Sequence, residues 1–197
     1  MKVLTACYPI SMGHLNRYIG SAGAVMLCFV LTGCDDVLVT AKLPPIQDDR
    51  VVGVWANPED PTDLGVIEKS GDGYVIKPEA GGKPTRFTLC RAGDTVFAQL
   101  EEKCTSHVFS FTGDTRPCYQ IVRLEFEENA LTFRQIDVKL FEKDPELSIE
   151  YRVATSHPKR GDSVTCALIE SPAPDLLAFL AALPSDNYKT GTRMSRK

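Results

Sequence analysis

Cysteine has the widest choice of chemistry in this chain, which holds seven: Cys7, Cys28, Cys34, Cys90, Cys104, Cys118 and Cys166. A thiol can bind a metal, attack a carbonyl, carry a lipid or close a disulfide, and spacing and setting decide which. No two of these form a C-x-x-C pair and none adjoins a histidine, so a zinc site is not expected. Ser106-His107 and Ser156-His157 put a hydroxyl beside an imidazole. Adjacency in sequence is not the nucleophile–base–carboxylate geometry that catalysis needs, and plain loop residues explain both. Glu101-Glu102 and Glu127-Glu128 are neighbouring carboxylates that point to opposite faces of a strand and cannot share an acid–base site. There is no glycine-rich phosphate loop. The expectation is a protein without catalytic residues, metal or cofactor, and not an enzyme.

Cys34 is the exception, because of what precedes it. Lys2 and Arg17 are the only formal charges before Asp35, and residues 19–31 form an apolar run of 13 residues. A spanning helix needs roughly 20 apolar residues, so this run is too short to anchor by itself. A basic start, a short apolar core and small residues at its end are the pattern of an export signal, beginning at Met1 or at Met12. A buried N-terminal helix ending at a chance cysteine is the plainer alternative.

Leu31-Thr32-Gly33-Cys34 resembles the lipobox of bacterial lipoproteins. The resemblance implies cleavage between Gly33 and Cys34, a diacylglyceryl thioether on Cys34 and acylation of the new N-terminus. Several acyl chains, at about 0.8 kcal/mol per buried CH₂, give durable anchoring. The implied location is the bacterial cell envelope, facing the periplasm, with Asp35 favouring the inner membrane.

The organisation expected from this is a signal peptide over 1–33, a lipidated tether over 34–50 around Pro44-Pro45, a β-barrel domain over 51–184, and a basic flexible tail over 185–197. Losing Lys2 and Arg17 with the leader moves the net charge from −4 to −6. That balance argues against nucleic acid, which selects clustered positive charge. The tail residues Lys189, Arg193, Arg196 and Lys197 could alternatively meet anionic head groups. Four cysteines then remain in an oxidising compartment, where two disulfides are the default. Of the three possible connectivities the preferred one joins Cys104 to Cys118, closing a 14-residue segment worth about 3 kcal/mol in the chain-entropy model, and Cys90 to Cys166; buried free thiols in one or both pairs are the plainer alternative.

Glycine–aspartate corners punctuate the rest: Gly71-Asp72, Gly93-Asp94, Gly113-Asp114 and Gly161-Asp162, with Glu128-Asn129 as a fifth. Glycine supplies positive φ and the Asp side chain closes the turn. Between corners the residues alternate. Val122, Leu124 and Phe126 share one face and Arg123, Glu125 and Glu127 the other. Tyr74 with Ile76, Phe87 with Leu89, Val96 with Ala98 and Leu100, Leu131 with Phe133, and Ile149, Tyr151 and Val153 read alike. About eight short strands predict a mainly β chain, a small antiparallel barrel or sandwich. Ile136, Leu140 and Phe141 predict a helical turn before Asp144-Pro145. Leu176, Leu177, Leu180 and Leu183 predict a C-terminal helix that opens at Ser171-Pro172, stops at Pro184 and packs on the barrel.

Gly53-Val54-Trp55 resembles the Gly-x-Trp signature of lipocalins, in which the tryptophan closes the base of an eight-stranded barrel. The resemblance makes Gly53 and Trp55 the candidate barrel base and implies an enclosed apolar small molecule. No arginine partner for Trp55 on the last strand is evident, and Trp55 as an ordinary core residue is the plainer reading. The alternative function is a structural or interaction lipoprotein that docks on an envelope protein complex.

Overall fold

The computed structural model describes residues 37–79, 81–103, 116–143, 147–156 and 164–197. Eleven strands and two α-helices are found among them: β1 (Val37–Val39), β2 (Gly53–Ala56), β3 (Leu64–Ser70), β4 (Gly73–Pro78), β5 (Thr85–Ala92), β6 (Thr95–Lys103), β7 (Pro117–Glu127), β8 (Ala130–Gln135), α1 (Lys139–Lys143), β9 (Tyr151–Ser156), β10 (Val164–Ile169), α2 (Ala173–Ala182) and β11 (Thr192–Arg196).

Eight of the strands close an antiparallel barrel in the order β2-β3-β4-β5-β6-β7-β8-β11, with β11 hydrogen-bonded to both β8 and β2. Two of the tight corners fall where the glycines predict them. Gly71 (φ +64°) turns β3 into β4 and Gly93 (φ +57°) turns β5 into β6. Glu128-Asn129 turns β7 into β8, while the corners at 113–114 and 161–162 lie outside the described residues. Most of the predicted inward set is found: Tyr74, Ile76, Phe87, Leu89, Val96, Ala98, Leu100, Val122, Leu124 and Leu131 form one buried cluster with Trp55, Ile67 and Met194, whereas Ile149 and Tyr151 pack in a second core outside the barrel and Val153 is 40% exposed.

β7 has eleven residues, and β8 takes only part of its outer edge. β1 takes the rest (Leu38↔Gln120, Val39↔Tyr119), followed by β10 in parallel and β9 antiparallel. This three-stranded extension, with α1 and α2, covers the outside of β5, β6 and β7. A second core forms there, in which Cys90, Phe97, Tyr119 and Ile121 of the barrel wall meet Val37, Val39, Ile169, Leu176, Phe179 and Leu180. The wall of the barrel is therefore apolar on both faces along these strands, which a free-standing barrel would not be.

Two expected boundaries are corrected. Residues 34–50 are not a tether beyond Val37, because Val37, Leu38 and Val39 are buried in the sheet. Residues 185–197 are not a flexible tail, because β11 is a barrel strand with Met194 in the core. β1 is too short and β11 too polar to announce itself, and both gain their order from strands on either side.

Candidate functional site

The end of the barrel holding Trp55 is closed by residues 46–52, which enter through an isolated bridge, Ile46 N–H to the Leu89 carbonyl at 2.8 Å. Tyr74 reaches up from β4, and its hydroxyl accepts from the Asp48 N–H at 2.7 Å and lies 3.2 Å from Gln47 Oε1. The Asp48 carboxylate accepts from Arg50 Nε at 2.9 Å and from Arg50 Nη2 at 2.6 Å. That pair holds the Asp48 carboxyl below the usual carboxylate range against the opposing effect of burial. The Arg50 guanidinium lies 4.1 Å from the centre of the Phe126 ring. Val51, in the short 3₁₀ turn Asp49–Val51, is completely buried under this plug.

Trp55 donates its indole N–H to the Val51 carbonyl at 2.8 Å. Its register partner on β11 is Arg196, whose guanidinium carbon stands 5.1 Å from the indole ring centre. Arg196 Nη2 donates to the carbonyls of Val52 at 2.7 Å and Arg50 at 3.2 Å. Gly53 has φ +146°, a backbone conformation that favours glycine, and a Cβ on it would lie in ordinary contact with Arg196 Nε at 3.5 Å. The arginine partner that the sequence did not reveal is thus Arg196. Its signal is the alternation of Met194 and Arg196 inward with Arg193 and Ser195 outward, lost in a Ser/Thr/Gly/Lys/Arg-rich segment.

The paired cysteines need a correction. Neither Cys90 nor Cys166 is in a disulfide. Cys90 faces the outer core beneath α2, whereas Cys166 packs with Leu38, Cys118 and Leu168 in a separate cluster, so the two thiols belong to different layers. Burial pushes the Cys90 thiol up to about 12. Cys118 is completely buried and disulfide-bonded; Cys104, its expected partner, lies outside the described residues, as do Gly33, Cys34, His107 and His157.

Outside the barrel, a groove of about 180 Å³ runs between residue Lys42 of the β1–β2 connection and the outer wall. Gln99, 2% exposed, straps that connection down by accepting from Leu43 N–H at 3.2 Å and donating to the Ala41 carbonyl at 3.1 Å. Tyr119 adds an apolar face, and Lys42, Arg86, Asp72 and Glu101 bring charges of both signs to the rim. The groove is lined by polar and charged side chains of both signs, and its lining residues include no nucleophile–base pair. No protein-family model, no curated protein and no solved structure matches this chain.

Proposed function

We propose that the protein is a lipid-anchored lipoprotein of the bacterial cell envelope, held through Cys34, whose barrel acts by docking a partner protein on its outer wall rather than by catalysis or ligand carriage. The observation behind the docking reading is the filled lumen. Val122, Leu89 and Leu131 are completely buried, and Ile67 and Tyr74 are 1% exposed. A ligand cavity of about 300–1,000 Å³ leaves its lining accessible to water. The frame is lipocalin-like in its eight antiparallel strands, its Gly53-Val54-Trp55 strand and its Arg196 partner. In this reading the family's barrel is kept and its pocket is replaced by core.

The buried start of β1 gives the anchor a consequence. From Cys34 to Val37 is three residues, a reach of at most about 11 Å. The domain then sits against the periplasmic face of the membrane, the inner one by the Asp35 resemblance, with the outer-wall groove presented to neighbours. A photo-cross-linking residue at position 42 or 101 in intact cells is expected to give a discrete protein adduct. Absence of any adduct, or saturable uptake of an apolar dye that quenches Trp55, overturns the docking reading. The anchor has a separate readout: Cys34→Ala abolishes labelling by a palmitate analogue and leaves unprocessed precursor.

A further inference from the structure

Arg123 on β7 and Arg134 on β8 stand directly opposite one another in the sheet register. They lie on the outer face, since Val122, Leu124 and Phe133 take the inner one. Like charges in that position repel, and at 21% and 34% side-chain exposure water screens the repulsion only in part. One carboxylate lies between them, with Glu125 Oε1 3.4 Å from Arg123 Nε and Oε2 3.0 Å from Arg134 Nε. Neither Nε–H makes a hydrogen bond in that arrangement, although both atoms are buried. Glu125 thus serves as a counter-charge without hydrogen-bonding either Nε–H, and two guanidiniums against this one carboxylate give the three groups a net charge of +1. Tyr188 covers one side, its ring centre 5.0 Å from the Arg123 guanidinium carbon. It is 6% exposed, and its buried hydroxyl, which the Arg123 guanidinium faces, finds no acceptor for its own proton. Such a group calls for an explanation. Burial raises the phenol to about 12, so it is an O–H donor at neutral pH.

We propose that Arg123, Arg134 and Tyr188 form a binding site for a phosphate-type oxyanion. Two planar guanidinium forks and a phenol offer donors from three directions. A tetrahedral phosphate has oxygens for all three, whereas the planar carboxylate of Glu125 has only two. The register also bears on where the phosphate comes from. Leu38 pairs with Gln120 and Val39 with Tyr119, which sets Val37 at Ile121, two residues from Arg123 on the same face of β7. With Cys34 anchored, this places the site beside the membrane surface and makes a phospholipid head group the source; that clause rests on the anchoring reading, and the site itself does not.

The test uses the full chain carrying Cys34→Ser, titrated with inorganic phosphate by calorimetry and floated with vesicles of phosphatidylglycerol or of a neutral galactolipid. Binding is expected to weaken about tenfold or more in Arg123→Gln and in Arg134→Gln, as loss of a charge-assisted pair implies. Glu125→Gln removes the competing carboxylate and should tighten binding about threefold or more, a gain that a purely structural ion cluster does not produce. Tyr188→Phe should weaken binding a few-fold without lowering the melting temperature, which separates it from a folding defect. Saturable phosphate binding without flotation assigns a soluble phosphate; flotation on phosphatidylglycerol alone, lost in Arg134→Gln, assigns a head group. No binding by either route, in the parent and in Glu125→Gln, overturns the site, as does binding indifferent to both arginine substitutions. Palmitate labelling reports on the anchor independently of all these outcomes.

Discussion

Arg196 lies over Trp55 from the neighbouring strand, 5.1 Å from ring centre to guanidinium carbon, while it ties down the carbonyls of Arg50 and Val52. One side chain therefore joins the last strand, the first barrel strand and the plug. Arg196→Ala removes a cation–π contact and two hydrogen bonds, a loss of about 2 kcal/mol once solvent exposure is discounted. For a domain of this size that is a fall of about 4–8 °C in melting temperature. The only tryptophan reports it, so its emission should shift to the red before global unfolding. An unchanged melting curve and emission would mean that the plug does not depend on this arginine.

The plug also has an acid-sensitive latch. Hydrogen bonds from Arg50 lower the Asp48 carboxyl below its ordinary value of 3.8, outweighing burial. A depressed carboxylate stabilises the folded state above the unfolded pKa, and that contribution is lost as pH falls through the folded one. Urea midpoints should therefore decline below about pH 4. In Asp48→Asn the protein should start less stable at pH 7 and decline less steeply. Parallel pH profiles for the two proteins would rule the latch out.

Cys90 behaves in the opposite direction. Its thiol is raised from 9.0 to about 12 by burial alone. A raised acid stabilises the fold fully below the unfolded value and loses that contribution as pH climbs toward the folded one. Stability should fall between about pH 9 and 12, and Cys90→Ala should flatten part of that decline. At pH 8 iodoacetamide should leave Cys90 unmodified in the native protein and alkylate it in denaturant, as judged by peptide mass. A peptide cross-linked between Cys90 and Cys166 would contradict their placement in separate layers.

Alternation carried the barrel because an inward residue must be apolar and its neighbour need not be. Val122, Leu124 and Phe126 against Arg123, Glu125 and Glu127 could be read directly. Two strands escaped that logic. β1 is three residues, all buried, and has no alternation to read because both its faces belong to buried apolar clusters. β11 has one apolar side chain, Met194, and owes its order to β8 and β2. The site residues were legible only as types. Trp55 stood out as the single tryptophan, but its arginine partner lies 141 positions away, and only closure of the barrel brings the two together. Arg123 and Glu125 looked like a solvated face because the sequence does not say that β8 and Tyr188 cover them.

β11 makes the last prediction the most severe. It is the one strand that joins β8 to β2, so deleting residues 190–197 exposes two unpaired strand edges and the underside of Trp55 at once. Open edges recruit other strands, so the truncated chain should aggregate or dimerise when expressed. The missing element is mostly backbone pairing plus two inward side chains, and a strand can be supplied from outside by addition to an open edge. A synthetic peptide of residues 190–197 should therefore rescue the truncated protein on refolding and return Trp55 emission to its buried position. The same peptide with Met194→Asp and Arg196→Ala should fail, because it keeps the backbone donors and loses the core contact and the Trp55 partner. A truncated chain that stays monomeric with Trp55 buried would show that the barrel closes without its last strand, and the account of Arg196 as the joint of the base would go with it.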